Sequence, residues 1–340
     1  MAKKILLIVL TFVLMVVMVS CEGTDSGGKQ TMYKGKNKLP NLMAVSEDNY
    51  YILTCMYGAD KYRLSAGKNV EKLNFVYDVK GASIWYLYAE GDYAAWVESY
   101  GDHYDYKVYD KGKDEVLSVN TVKCGKNEQQ NMQMGIYEDA LYYSEIDYTD
   151  EKLYIKKYKI KEKTTETVRE SALPANISMA LEVKAGVLTA YLGEGRLYSV
   201  DLKSGKETSV EIPGRTDGVY AVSYDKENDL YGLYYAAKGS EDIGTFALGN
   251  KQIKSIYTLS ENCYAYRDNI TIDKGHLFWV TQVNASGKVV DHYKLVDYSC
   301  QEDTVVEYSG AFGFALTDDI LYTLSFVNNI DRVALKEIKR

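Results

Sequence analysis

Between Ala175 and Gly214 the chain alternates short runs of apolar and polar residues with turn residues. It reads ANISMALEV, KAG, VLTAYLG, EGRLYSVDL, KSGKE and TSVEIPG. Period-2 alternation marks strands with one buried face, and the Gly, Lys and Ser clusters mark turns between them. The unit therefore reads as four antiparallel strands, and it recurs. A polar turn precedes an aromatic or aliphatic run at Glu47-Asp48-Asn49 before Tyr50, Glu90-Gly91-Asp92 before Tyr93, Glu138-Asp139 before Leu141 and Lys184-Ala185-Gly186 before Val187. The series continues at Glu227-Asn228-Asp229 before Leu230, Lys274-Gly275 before Leu277 and Asp318-Asp319 before Ile320. Steps of about 42 to 48 residues are those of propeller blades. No segment sustains a helical period. The pattern predicts an all-β body, a single β-propeller of seven four-stranded blades, with six or eight as the neighbouring counts.

In such a unit the first strand lines the central channel and the fourth lies at the rim. The seventh unit offers only three strands: Ala311 to Leu316, Leu321 to Phe326 and Arg332 to Ile338. An open ring would leave an unpaired edge. The stretch Lys29 to Leu39, upstream of the first unit, is predicted to supply the missing strand and close the ring.

The N-terminus has a different pattern. Lys3 and Lys4 precede an apolar run from Ile5 to Val19 broken only by Thr11. That run is short for a membrane span and fits the apolar core of an export signal. It ends in Met18-Val19-Ser20-Cys21. This resembles the bacterial lipobox: an aliphatic residue, two small residues, then cysteine, with Met18 in place of the usual leucine. The resemblance implies a lipid-modified Cys21 and cleavage just before it. The predicted organisation is a lipoprotein signal at 1–20, a lipidated polar tether at 21–41 and the propeller at 42–340. The predicted location is the extracytoplasmic face of the cell membrane.

The second strands carry Tyr50-Tyr51, Leu141-Tyr142-Tyr143 and Leu230-Tyr231. In this they resemble YWTD- and TolB-type propellers. No Trp-Asp ends the third strands and no Gly-Gly pair marks the second, unlike WD-repeat and kelch proteins. Asp201 to Lys206 is similar to a quinoprotein blade, but the blade-closing tryptophan is absent, so no cofactor is implied.

Composition narrows the chemistry. Removing the signal takes the net charge from -8 to -10, because Lys3 and Lys4 leave with it. An acidic surface argues against nucleic acid and against charge-driven binding to anionic lipid. Thirty-three tyrosines suit half-buried pleated surfaces. With Cys21 assigned to lipid, Cys55, Cys124, Cys263 and Cys300 remain. Their spacing is irregular and lacks CxxC, so they are expected as free, mostly buried thiols rather than disulfides or zinc ligands. The histidines, His103, His276 and His292, fall in different parts of the repeat, so no triad or metal centre is expected. The acidic loops at Asp147 to Glu151 and Glu98 to Asp105 read as solvated turns.

The candidate ligand-binding residues are the aromatics of the channel strands, Trp85, Tyr86, Tyr220, Tyr266 and Phe312, with Gln133 and Arg267 beside them. They are expected near the face that carries the longer inter-blade loops, where binding sites concentrate. Packing between blades would use the same residue types. The expected function is a tethered, non-catalytic binding protein for an envelope protein, peptide or glycan. A propeller-fold lyase or hydrolase and a subunit of an envelope assembly complex are the rival readings.

Overall fold

The computed structural model describes residues 29–340, apart from 35–38, 48, 57–60, 126–131, 174–178, 194, 213–217, 238, 261–262, 284–291 and 328. The signal and Cys21 lie outside the described residues, as does most of the loop after Lys123.

The described chain is all strand, in seven four-stranded antiparallel sheets. β1 (Gln30–Lys34) precedes blade one, which is β2 (Leu39–Ser46), β3 (Asn49–Met56), β4 (Lys61–Gly67) and β5 (Asn74–Lys80). Blade two is β6 (Ser83–Glu90), β7 (Tyr93–Ser99), β8 (His103–Asp110) and β9 (Glu115–Lys123). Blade three is β10 (Met134–Tyr137), β11 (Ala140–Asp147), β12 (Lys152–Lys159) and β13 (Thr164–Ala172). Blade four is β14 (Ala180–Lys184), β15 (Val187–Tyr191), β16 (Arg196–Asp201) and β17 (Glu207–Glu211). Blade five is β18 (Val219–Asp225), β19 (Leu230–Ala237), β20 (Ser240–Ala247) and β21 (Gln252–Thr258). Blade six is β22 (Cys263–Asp273), β23 (His276–Val283), β24 (Tyr293–Ser299) and β25 (Thr304–Ser309). Blade seven is β26 (Ala311–Leu316), β27 (Ile320–Val327) and β28 (Asn329–Lys339), completed by β1.

The ring closes as expected, on a narrower segment. β1 pairs with β28 from Gln30↔Lys336 to Lys34↔Arg332, and Leu39 already belongs to the inner strand of blade one. The first blade thus starts slightly before the predicted boundary at 42.

Burial follows strand position. Second strands are enclosed on both faces, as in Val187–Tyr191, whereas rim strands such as Thr304–Ser309 are largely exposed. Trp96, Trp279, Tyr51 and Tyr106 are among the largest fully buried side chains and fill the wedges between neighbouring sheets. Where inner strands converge, space is scarce. A Cβ on Gly135 would sit 2.6 Å from the Val183 Cβ and 3.0 Å from its backbone N, so blades three and four touch through a missing side chain. Gly135→Ala is expected to force the two blades apart and cost about 1–3 kcal/mol. Thermal unfolding of the variant checks this, and an unchanged melting temperature would contradict the tight contact.

Among the described residues, no disulfide joins Cys55, Cys124, Cys263 and Cys300. Burial pushes the Cys300 thiol up to about 11, which keeps it protonated and unreactive.

Candidate functional site

Each inner strand runs from the loop-bearing face to the face with short turns. At the short-turn end sit hairpins such as Ala185-Gly186, where both residues have positive φ and match the twist of the flanking strands. Register breaks interrupt five inner strands: Pro40/Leu42, Trp85/Leu87, Val219/Ala221, Ala265/Ile270 and Ala311/Gly313. A bulge re-aims the side chain at the break. The skipped positions include Tyr86, Tyr220 and Phe312, three of the residues the sequence singles out.

Their destinations differ. Trp85 is 45% exposed at the loop end of β6. Tyr220 packs against Tyr234, with ring centroids 5.1 Å apart. Phe312 packs on Phe326 at 4.4 Å and on Tyr293 at 6.2 Å, joining blades six and seven. Tyr266 and Arg267 lie in β22 within its register break, and their side chains are outside the described residues. Tyr86 is buried, stacks on Tyr88 and has φ +57°. A bulky residue in the left-handed region is a strained outlier, costing about 1–2 kcal/mol.

Gln133 laces the channel. It is buried just before β10, its amide N–H donates to the Tyr220 carbonyl at 3.1 Å, and its Oε1 accepts from the Leu181 N–H. One side chain therefore ties blades three, four and five.

On the short-turn side of this crossing lies a cavity of about 260 Å³, bordered by the inner strands of six blades and by Gln133, just before the inner strand of blade three. Its lining reaches the ends of those strands at Glu90, Lys184 and Leu316, so it belongs to the short-turn end. Of the predicted residues, Tyr86 and Gln133 reach it. Tyr86, Tyr88 and Phe314 give it an aromatic wall; Glu90, Glu182 and Lys184 give it charge.

These charged groups escape sequence reasoning. Glu182 is 8% exposed and accepts from the Ser223 hydroxyl at 2.8 Å and the Tyr224 N–H at 3.1 Å. Ser223 Oγ in turn accepts from the Ile272 N–H at 2.9 Å, so the network spans blades four to six. Burial pushes the Glu182 carboxyl up to about 7, against the pull of Lys184 and its hydrogen bonds. Lys184 pairs with Asp273 at 2.8 Å and also donates to the Ile272 carbonyl. Arg340 holds the other Asp273 oxygen at 2.6 Å. Burial works to raise the Asp273 carboxyl, but the two cations outweigh it and hold it below the usual range. At the mouth, Glu90 is solvent-accessible yet ringed by protein, and its carboxyl is raised by desolvation and then by Glu47. The signal for Glu182-x-Lys184 is a charged pair at period 2 inside an otherwise apolar inner strand.

The histidines stay apart. His103 pairs with Asp102 at 2.6 Å at the start of β8. His276 pairs with Asp297 at 2.7 Å at the start of β23, while His292 immediately precedes β24.

No protein-family model matches the chain, and no curated protein matches its sequence. Solved structures do match in fold. The β-propeller domain of the Trilobed protease from Pyrococcus furiosus, described as having an open velcro topology, aligns over 89% of this chain and 93% of its own, with TM-score 0.59 and 12% identity. Acylaminoacyl peptidase in complex with Z-Gly-Gly-Phe-chloromethyl ketone aligns over 89% of this chain and 52% of its own, with TM-score 0.57 and 11% identity. A chain of the Mitotic Checkpoint Complex aligns over 91% of both, with TM-score 0.54 and 8% identity. At such identities the likeness is one of fold, and the fold serves unrelated activities. In this chain, β1 pairs with β28 and closes the ring.

Proposed function

We propose that the chain is a membrane-tethered, extracytoplasmic binding protein whose channel receives a projecting group of an envelope protein, peptide or glycan. The observation that carries this reading is Tyr86. A strained aromatic at a bulge, bordering a cavity where the inner strands of six blades meet Gln133, is the kind of outlier that collects at ligand sites. The cavity volume suits a side chain or a sugar ring rather than a whole peptide. The aromatic wall offers a stacking surface, and Glu90 offers an acceptor at the mouth. Tethering rests on the lipobox-like Met18-Val19-Ser20-Cys21.

A propeller-fold lyase or hydrolase has one observation in its favour: Glu182, with a pKa near neutrality, could exchange a proton at physiological pH. Both its oxygens are engaged by Ser223 and Tyr224, which suits a structural strut better than a proton donor to a ligand.

Capture of partners from crosslinked cells tests the binding reading. The double variant Tyr88→Ala, Glu90→Gln is expected to lower capture roughly tenfold or more, as expected for losing a charge-assisted hydrogen bond and a stacking face. Loss of capture in Trp85→Ala, with the double variant unaffected, would move the site to the loop-bearing end. Cys21→Ala tests the anchor: the protein is expected in the medium or unprocessed. Membrane-bound protein of mature size would overturn the anchor.

A further inference from the structure

The closing strand fixes which face the tether leaves from. β28 ends at the short-turn face, where the Arg340 N–H donates to the Asp319 carbonyl at 2.9 Å in the inner turn of blade seven. β1 is antiparallel to β28, and the Lys29 carbonyl accepts from the Glu337 N–H at 3.0 Å. The chain therefore enters the propeller at the rim of the short-turn face. Nine peptide bonds separate Cys21 from Gln30. Such a segment reaches at most ~30 Å.

The body is about as tall as that reach. β12, with eight residues, crosses from one face to the other and rises about 26 Å. With the loop-bearing face against the membrane, Gln30 would sit on the far side of the body, and the tether would have to be almost fully extended, at a cost in chain entropy. With the short-turn face down, no extension is needed.

We infer that the short-turn face, where the chain enters the propeller, is the membrane-facing surface of the anchored protein, with the loop-bearing face and Trp85 pointing outward. This rests on the reading of Cys21 as a lipidated anchor. It also turns the mouth of the channel cavity toward the membrane-proximal layer, the region that would supply its occupant.

The test uses the full lipidated chain in vesicles of phosphatidylglycerol and phosphatidylcholine that carry a headgroup-linked energy acceptor. A fluorescent residue replaces either Lys203, on an outer turn, or Asp150, on the loop-bearing face of blade three. Energy transfer several-fold stronger from position 203 is expected. Equal transfer, or stronger transfer from position 150 on vesicle-bound protein, would overturn the orientation while leaving the anchor standing. Protein that stays off the vesicles, with an unmodified Cys21 by mass spectrometry, would overturn the anchor and the orientation with it.

Discussion

A chain beginning at Leu39 is expected to melt about 10 °C lower than one that retains β1, and to aggregate on heating. Five residue pairs join β1 to β28. About five ladder hydrogen bonds at a net ~1 kcal/mol each are lost with them, as is the packing of Tyr33. Tyr33 belongs to the apolar cluster between blades seven and one, and its hydroxyl donates to the Val70 carbonyl at 3.4 Å. Burial pushes its phenol up to about 12, in keeping with an enclosed ring. A loss on the order of 5 kcal/mol in a domain of this size corresponds to about 10 °C. The larger consequence is topological. Removing β1 uncovers the edge of β28, an 11-residue strand, as an unpaired row of N–H and C=O groups. Scanning calorimetry with light scattering reads both effects. An unchanged melting temperature without aggregation would show that the ring does not depend on β1.

The second large effect is a pH dependence carried by Glu182. Its carboxyl titrates at about 7 in the folded chain and at about 4.5 when unfolded, because burial penalises the charged form. Below pH 4.5 both states hold the proton and the stability contribution is complete. As pH rises from 4.5 to 7, the unfolded chain releases the proton while the folded chain keeps it, so stability falls; above 7 the loss is complete. A shift of this size corresponds to a loss on the order of 3 kcal/mol, or about 6 °C in melting temperature. The groups facing it are Ser223, Tyr224 and Thr271, with Lys184 as the nearby cation and Asp273 behind it. Glu182→Gln keeps the geometry, since the amide can donate to Ser223 Oγ and accept from the Tyr224 N–H, but it cannot ionise. The melting temperature of the variant relative to the native protein is therefore expected to rise between pH 5 and pH 8. A constant difference across that range would mean that Glu182 ionises at an ordinary carboxylate value.

Blade number, strand order and the need for a closing strand are legible in the linear pattern because each depends on neighbours in the chain. Alternation along Lys152–Lys159 and turns such as Ala185-Gly186 are local, and they recur at blade spacing. The three-stranded last unit leaves an edge that only a segment from elsewhere can cover, which points to the stretch containing Gln30–Lys34. The site is different. Tyr86 and Gln133 could be picked out as large residues on or beside inner strands, but not told apart from Phe312 and Tyr220, which do not border the cavity. Two things decide that distinction: the bulges that re-aim individual side chains, and the radial convergence that brings distant blades together. Gln133 meets Tyr220, and Lys184 meets Asp273, across more than eighty residues of chain. Glu182 looks like one acid among many in the sequence; the folded ring removes water from it and hands it Ser223 and Tyr224. Strand alternation and turn chemistry are properties of consecutive residues, so the sequence alone determined the propeller. Which side chains share the channel, and what their protons do there, follow from the curvature and closure of the sheets, which only the tertiary structure decided.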